Sequence, residues 1–426
     1  MSLNLCGSYN LLMHYFEYRS GELHCEGIPL RKIADEVGTP VYIYSEQTLR
    51  RHVRVFDEAF ESVPHLICYA VKANSNINIL RRFAQWGTGF DIVSGGELFR
   101  VLRAGASAEK VIFAGVGKTA GEIRYALEAG ILFFNVESPS ELDLIQTIAR
   151  DIGKRAPVCI RANPDVDPRT HPYISTGMQK HKFGVSLADA RQLYRTARQL
   201  SHIDVVGVQC HIGSQITEIT PFEQALASLR EFILELKNEG LEFKYLDFGG
   251  GLGISYTTEE PPSPATYGAA VARATRDLGL TIVLEPGRVI VGNAGVLLAR
   301  VLLKKNQGTK KFLVIDAGMN DLIRPALYGA LHQLWPVRPG SQTETVDVVG
   351  PVCESADFIA KDRDVAVLEP GELLAVMSAG AYSFSLSSNY NSRPRAAEVL
   401  VNGETYEVIR KRESYEDLVR LEQNEA

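Results

Sequence analysis

A chain of 426 residues has room for about two domains, and its 45% hydrophobic and 23% charged content is that of an ordinary globular protein. A formal net charge of -6 without any dense Lys/Arg block argues against a nucleic-acid partner, and no apolar run reaches the length of a membrane span. Six scattered cysteines, with no Cys-x-x-Cys pair and no metal-ligand spacing, predict no metal site and fit a reducing cytoplasm.

Residues 1–42 are short mixed segments, including Leu23-His24-Cys25-Glu26, and lead into the apolar stretch Val41-Tyr42-Ile43-Tyr44. Met1 to Cys6 show no basic region followed by an apolar stretch, so no secretory signal is expected. From about 65 to 288 a rhythm appears of short apolar strand, polar turn and amphipathic helix. Eight strands are predicted: 65–72, 89–94, 111–116, 132–137, 157–162, 205–211, 245–249 and 281–285. Helical patterns fill the gaps at 95–104, 119–129, 139–152, 186–200, 221–239 and 267–278. Eight strictly alternating units predict a (β/α)8 TIM barrel. A doubly wound open sheet is the alternative, weakened because no Gly-x-Gly-x-x-Gly follows the first strand.

After about 290 strand-like runs follow without long helices, for example Lys311-Phe312-Leu313-Val314-Ile315 and Glu398-Val399-Leu400-Val401, punctuated by turns such as Asn402-Gly403. The expected organisation is an N-terminal segment 1–42 joining a β-rich, sandwich- or barrel-like domain at 291–426, with the barrel at 43–290. Residues 165–184, rich in polar and turn-forming types, are a lid candidate on composition alone.

Reactive groups of such barrels gather at the C-terminal ends of the strands. Those ends carry Lys72, Asp91 with Ser94, Glu137, Arg161, His211, Gly249-Gly250-Gly251, and Glu285 followed by Pro286-Gly287-Arg288. A lysine with an apolar stem and its amine at the edge of the core is suited to form a Schiff base with an aldehyde, although a lone lysine there more often only reaches for water. The three glycines let backbone N–H groups approach an anion, or make a tight turn. Ser214 offers a further donor or is a turn serine, and His211 either lies against a planar ligand or is a satisfied histidine. Glu285 ends an apolar strand and needs a partner, either Arg288 or a protonated ring nitrogen. Together these describe a site for pyridoxal 5'-phosphate.

The sequence resembles the alanine-racemase-like, fold type III, pyridoxal-phosphate decarboxylases from about Val41 to about Val401. The resemblance is carried by Tyr69 to Asn74, Phe90 to Glu97, His211 to Gln215, Asp247 to Gly253, Glu285 to Arg288, Cys353 to Asp357, Gly380 to Tyr382 and Asn389 to Pro394. It implies that Lys72 bonds the cofactor, His211 stacks on its ring, Glu285 pairs with the ring nitrogen, and Asp91 and Arg161 lie nearby. Ser214, Gly250, Gly251, Gly287, Arg288 and Tyr382 would hold the phosphate region. Family members are homodimers with shared sites, in which Cys353 and Glu354 come from the other subunit and Cys353 returns a proton after carbon dioxide leaves. Ala356 and Ser383 stand where relatives often have glycine; neither change removes a chemical group.

The expected substrate is a small amino acid, meso-diaminopimelate, decarboxylated to L-lysine. Its far end carries a carboxylate suited to Arg288, Arg324 and Tyr328 and an ammonium suited to Glu354, with Tyr382 close by. A decarboxylase of carboxynorspermidine, ornithine or arginine, or a non-catalytic relative, is the alternative. Alanine racemase fits poorly, because its relatives place arginine at the ring nitrogen.

Overall fold

The computed structural model describes residues 13–167 and 182–422. The described chain divides into two compact units. One comprises 53–254 and 260–289; the other holds the described residues up to 52, 255–259, and those from 290 onward.

In the first unit eight strands run in parallel around a closed circuit. They are β1 (His65–Ala70), β2 (Gly89–Ile92), β3 (Val111–Phe113), β4 (Phe133–Val136), β5 (Ala156–Asn163), β6 (Ile203–Gln209), β7 (Tyr245–Asp247) and β8 (Thr281–Leu284). Each pairs with its successor, and β8 pairs back onto β1 through Val283 and Leu66. This is the expected TIM barrel. Its strands read as apolar runs because closure and the surrounding helices bury both faces; every residue of β2, β3 and β4 is buried. Cys68, Ile112, Phe133, Cys159 and Val283 pack in one fully buried cluster.

Helix starts follow local chemistry. Ser94, Thr119, Ser138 and Ser263 each accept a first-turn N–H, and Pro139 and Pro264 occupy positions where no donor is needed. Thr119 and Glu122 complete a capping box. The first strand is shorter than its sequence suggests. It ends at Ala70, and Val71–Ala73 form one 3₁₀ turn, so Lys72 stands on the turn after the strand.

The second unit is β-rich. Its main sheet runs through Phe358–Ala366, Thr343–Val349, Lys310–Ile315, Gly295–Gln307, Val41–Ser45, Ala397–Asn402 and Thr405–Arg410. Val41–Ser45 lies antiparallel to Gly295–Leu298 and parallel to Ala397–Val401. A division at residue 42 would cut this strand; here it lies whole in the β-rich unit. A small sheet of Phe16–Arg19, Glu22–Cys25 and Ile28–Pro29 contributes Phe16, Leu23, Cys25 and Ile28 to the same core as Val296, Leu298, Ala375 and Val399.

The lid candidate at 165–184 falls largely outside the described residues, which omit 168–181. Among the described residues no helix is long and apolar enough to cross a membrane, and no cluster of three or more metal-binding side chains occurs.

Candidate active site

In the barrel unit the site is assembled from strand ends. Lys72 Nζ lies 2.9 Å from Asp91 Oδ2, with the lysine side chain 35% exposed and the aspartate fully buried. Asp91 sits in β2, which pairs directly with β1.

Glu285 follows β8, one strand to the other side of β1, and is buried. Arg288 is not among its observed partners. Asn135 Nδ2 on β4 donates to Glu285 Oε1 at 3.4 Å and Gln209 Nε2 on β6 at 3.3 Å, while His211 Nδ1 stands 4.0 Å from Oε2. Loss of hydration and the negative charge of Asp247 push the Glu285 carboxyl well above its usual range. Arg288 Nη2 instead donates to Ser214 Oγ at 3.0 Å.

His211 accepts the Gly250 N–H on Nδ1 at 3.1 Å, which leaves the proton of the neutral ring on Nε2. Burial and the charges of Arg161 and Lys72 lower its pKa well below the usual value, so the ring is neutral. Arg161, buried, pairs with Glu137 Oε1 at 3.1 Å and lies 4.9 Å from the Phe183 ring centroid. Glu137 also accepts the N–H groups of Gly115 and Gly184 at 3.0 Å each. Behind it, Lys118 Nζ is held by Glu141 Oε1 at 2.5 Å and by the carbonyls of Gly115 and Asn135.

The glycine run is needed for close backbone approach. A Cβ on Gly250 would stand 2.3 Å from the Glu285 carbonyl oxygen, and one on Gly251 2.6 Å from that of Gly213, with φ at +113°. These residues bring the ends of β7 and β8 and the loop after β6 together. The Gly250 N–H, expected to face an anion, is directed to His211.

Gly287 follows β8 in the barrel unit, and the other candidates lie in the β-rich unit. Arg324 is buried, with its guanidinium 4.5 Å from the Tyr256 ring centroid and Nη1 2.9 Å from His332 Nε2. His332 Nδ1 is 2.7 Å from the Met377 carbonyl oxygen, so Nε2 is the acceptor from arginine. Tyr328 closes the short helix Arg324–Tyr328 and is half-buried. Cys353 and Glu354 are exposed; the Cys353 N–H donates to Asn391 Oδ1 at 2.8 Å, and Glu354 Oε2 accepts from the Tyr390 hydroxyl at 3.2 Å. Tyr382 is half-buried with φ at +55°.

Sequence reasoning assigned no role to Asn135, Gln209 or Asp247, and missed the Lys118–Glu141 pair. The available signal was a single amide inside an apolar strand, as in Phe133-Phe134-Asn135-Val136. Among the described residues Asp91 Oδ1, Asn135 Oδ1 and Gln209 Oε1 are buried without a hydrogen-bond partner. A buried patch so rich in acceptors calls for a donor. A protonated ring nitrogen is such a donor, an aldehyde suits Lys72, and Ser214 with Arg288 suits a phosphate. The residues therefore fit pyridoxal phosphate.

Comparison with known proteins gives the same cofactor. Residues 46–292 match the family of the pyridoxal-dependent decarboxylases, pyridoxal binding domain. The chain is 51% identical over 413 residues to a diaminopimelate decarboxylase of Vibrio cholerae, covering 96% of this chain and 99% of that one. Among solved structures, diaminopimelate decarboxylase from Helicobacter pylori complexed with L-lysine superposes with a TM-score of 0.90 at 42% identity, over 92% of this chain and 99% of that one. The enzyme of the same name from M. jannaschii, in co-complex with L-lysine, gives a TM-score of 0.93 at 37% identity, over 97% and 98%.

Proposed function

The chain belongs to the pyridoxal-dependent decarboxylases, and on that premise we propose that it converts meso-diaminopimelate to L-lysine and carbon dioxide, the last step of lysine biosynthesis. One observation carries the chemistry: an amine paired with Asp91 and a buried carboxyl, Glu285, stand after adjacent strands β1 and β8 of one barrel. Identity of about half over nearly the full length to relatives of that name supports the substrate.

When bound, pyridoxal phosphate supplies an aldehyde for an amine and a ring that accepts the electron pair left by departing carbon dioxide. Lys72 gives the attachment point, and Asp91 holds its amine in place beforehand. Glu285 takes the ring nitrogen as hydrogen-bond partner and favours its protonated form. The neutral His211 offers a flat face to the ring. Ser214, Arg288 and the N–H groups of Gly251 and Gly287 hold the phosphate, helped by Tyr382, while the Gly250 N–H orients His211. Arg161 keeps its position near the cofactor through Glu137.

For the substrate, the family resemblance assigns Arg324, Arg288 and Tyr328 to the distal carboxylate, Glu354 to the distal ammonium and Tyr382 to cofactor and substrate. The working unit is a homodimer in the cytoplasm, in which a second copy lends Cys353 and Glu354. The Cys353 thiol gives its proton to the carbon that carbon dioxide has left.

The test is to add pyridoxal phosphate and then meso-diaminopimelate to the purified protein and measure lysine. Lysine formation, with ornithine, arginine and carboxynorspermidine turned over far more slowly, is the expected result. A visible cofactor band without lysine would leave the family and discard the substrate.

A further inference from the structure

Behind Glu285 lies a second carboxyl group without a task in the reaction so far described. Asp247 ends β7, the neighbour of β8, and is wholly buried. The amide of Asn135 donates to both groups, at 2.8 Å to Asp247 Oδ2 and 3.4 Å to Glu285 Oε1. Asp247 Oδ1 accepts the Gly249 N–H at 3.0 Å. Asn135 is itself held from behind, its carbonyl oxygen 2.7 Å from Lys118 Nζ.

Two carboxyls sharing one amide in a water-poor floor do not both keep a charge: lost hydration and mutual repulsion retain a proton between them. The nearby charges relieve this only in part: the Lys72 charge favours the ionised form of Glu285, while the Asp91 charge disfavours that of both carboxyls. Lys72 is paired with Asp91, Arg161 with Glu137, and Lys118 with Glu141. His211 is neutral, and burial keeps the thiols of Cys68, Cys159 and Cys210 and the phenol of Tyr267 protonated. Burial also raises the Asp247 carboxyl, and burial with the Asp247 charge raises Glu285 further.

We propose that Asp247 is a positioning residue for Glu285, the two holding one proton between them, with Asn135 donating to both, until the cofactor's ring nitrogen takes it. The O–H bond at Glu285 breaks and an N–H bond forms at the ring, so the two carboxylates and the ring cation carry together the single negative charge that the pair carried alone. No proton has to enter from solvent. The second carboxylate then keeps the ring nitrogen protonated to higher pH than Glu285 alone would. This inference rests on the reading of Glu285 as partner of the ring nitrogen.

The test loads wild type, Asp247→Asn, Asp247→Ser and Glu285→Gln with nitrogen-15-labelled pyridoxal phosphate and follows the ring nitrogen by solid-state NMR against pH. In Asp247→Asn the ring nitrogen should lose its proton about one pH unit or more below wild type, and Asp247→Ser, which also removes the second charge, should move it the same way. Calorimetry of cofactor binding at pH 7 in buffers of different ionisation enthalpy should show Asp247→Asn taking up more protons than wild type, toward one extra. If Glu285→Gln shifts the titration while Asp247→Asn and Asp247→Ser leave it and the proton count unchanged, the inference is wrong and the reading of Glu285 stands. If Glu285→Gln shifts nothing, that reading fails and the inference with it. Should Asp247→Asn not fold, Asp247→Ser decides by the same two measurements.

Discussion

Lys72, on the turn after β1, meets Asp91 of the adjacent β2 at 2.9 Å, the lysine side chain 35% exposed and the aspartate buried. The buried aspartate fixes where the amine waits, and the exposure of the lysine leaves it within reach of an incoming aldehyde. Lys72→Ala should therefore lose the visible absorption of lysine-bound cofactor together with turnover. It should also lower stability by about 1–3 kcal/mol, because Asp91 is left buried without its hydrogen-bonding cation. Absorption spectroscopy and urea unfolding measure the two effects. Full turnover in this variant would remove Lys72 from the mechanism.

Cys353 is exposed and lies on a loop whose neighbour Asp357 accepts the N–H groups of Met319 and Val352 at 2.6 Å and 2.5 Å. If its thiol returns the proton, Cys353→Ala should keep the cofactor spectrum and slow lysine formation by about 10²–10⁴-fold. A bleached spectrum with unchanged turnover of the loaded fraction would show that it serves the cofactor instead.

Lys118 is the most deeply buried cation described at the site, its side chain only 1% exposed and shared among Glu141 and two carbonyls. Lys118→Met leaves Glu141 as a buried charge and should cost about 3–5 kcal/mol in urea unfolding of the cofactor-free protein. Adding Glu141→Gln should recover part of that loss, since the neutral amide still accepts the Glu137 N–H seen at 2.8 Å. A double variant no more stable than the single one would refute the unpaired charge as the cause.

Asp321, in the β-rich unit, accepts the Gly318 N–H at 3.0 Å, and burial pushes its carboxyl up to about 6. A carboxyl raised on folding binds its proton more tightly in the folded state, so its contribution is fully present below about pH 4 and is lost as pH rises through 6. Asp321→Asn keeps an acceptor without the charge. It should flatten stability between pH 4 and 6 and raise it at pH 7 by at most about 3 kcal/mol. Unfolding curves at pH 4 and pH 7 decide; a variant weaker than wild type at pH 7 would show the charge to be paired after all.

Much of the barrel was legible because βα alternation writes itself into local periodicity. Lys72, His211 and Glu285 were legible as ionisable groups where apolar runs end. Other features were out of reach for a physical reason. Asn135 meets Asp247 across 112 residues and Glu285 across 150, and only closure of the barrel brings those strand ends together. Val41–Ser45 looks local, yet its partners lie some 250 and 350 residues away, so no composition shift at residue 42 could reveal the sheet to which it belongs.

The glycines show both kinds of knowledge in one place. Three in a row at 249–251 announce that backbone must come close to something, and that much follows from the missing Cβ alone. What comes close was open between a phosphate and a turn, and the fold answers with the carbonyls of Glu285 and Gly213. The sequence by itself determined the fold class, the cofactor and the ionisable groups at the strand ends, because periodicity and residue chemistry are local properties. Which of those groups share a proton, and which backbone sits against which, was decided only by tertiary structure, because both depend on distances and burial that a linear order does not contain.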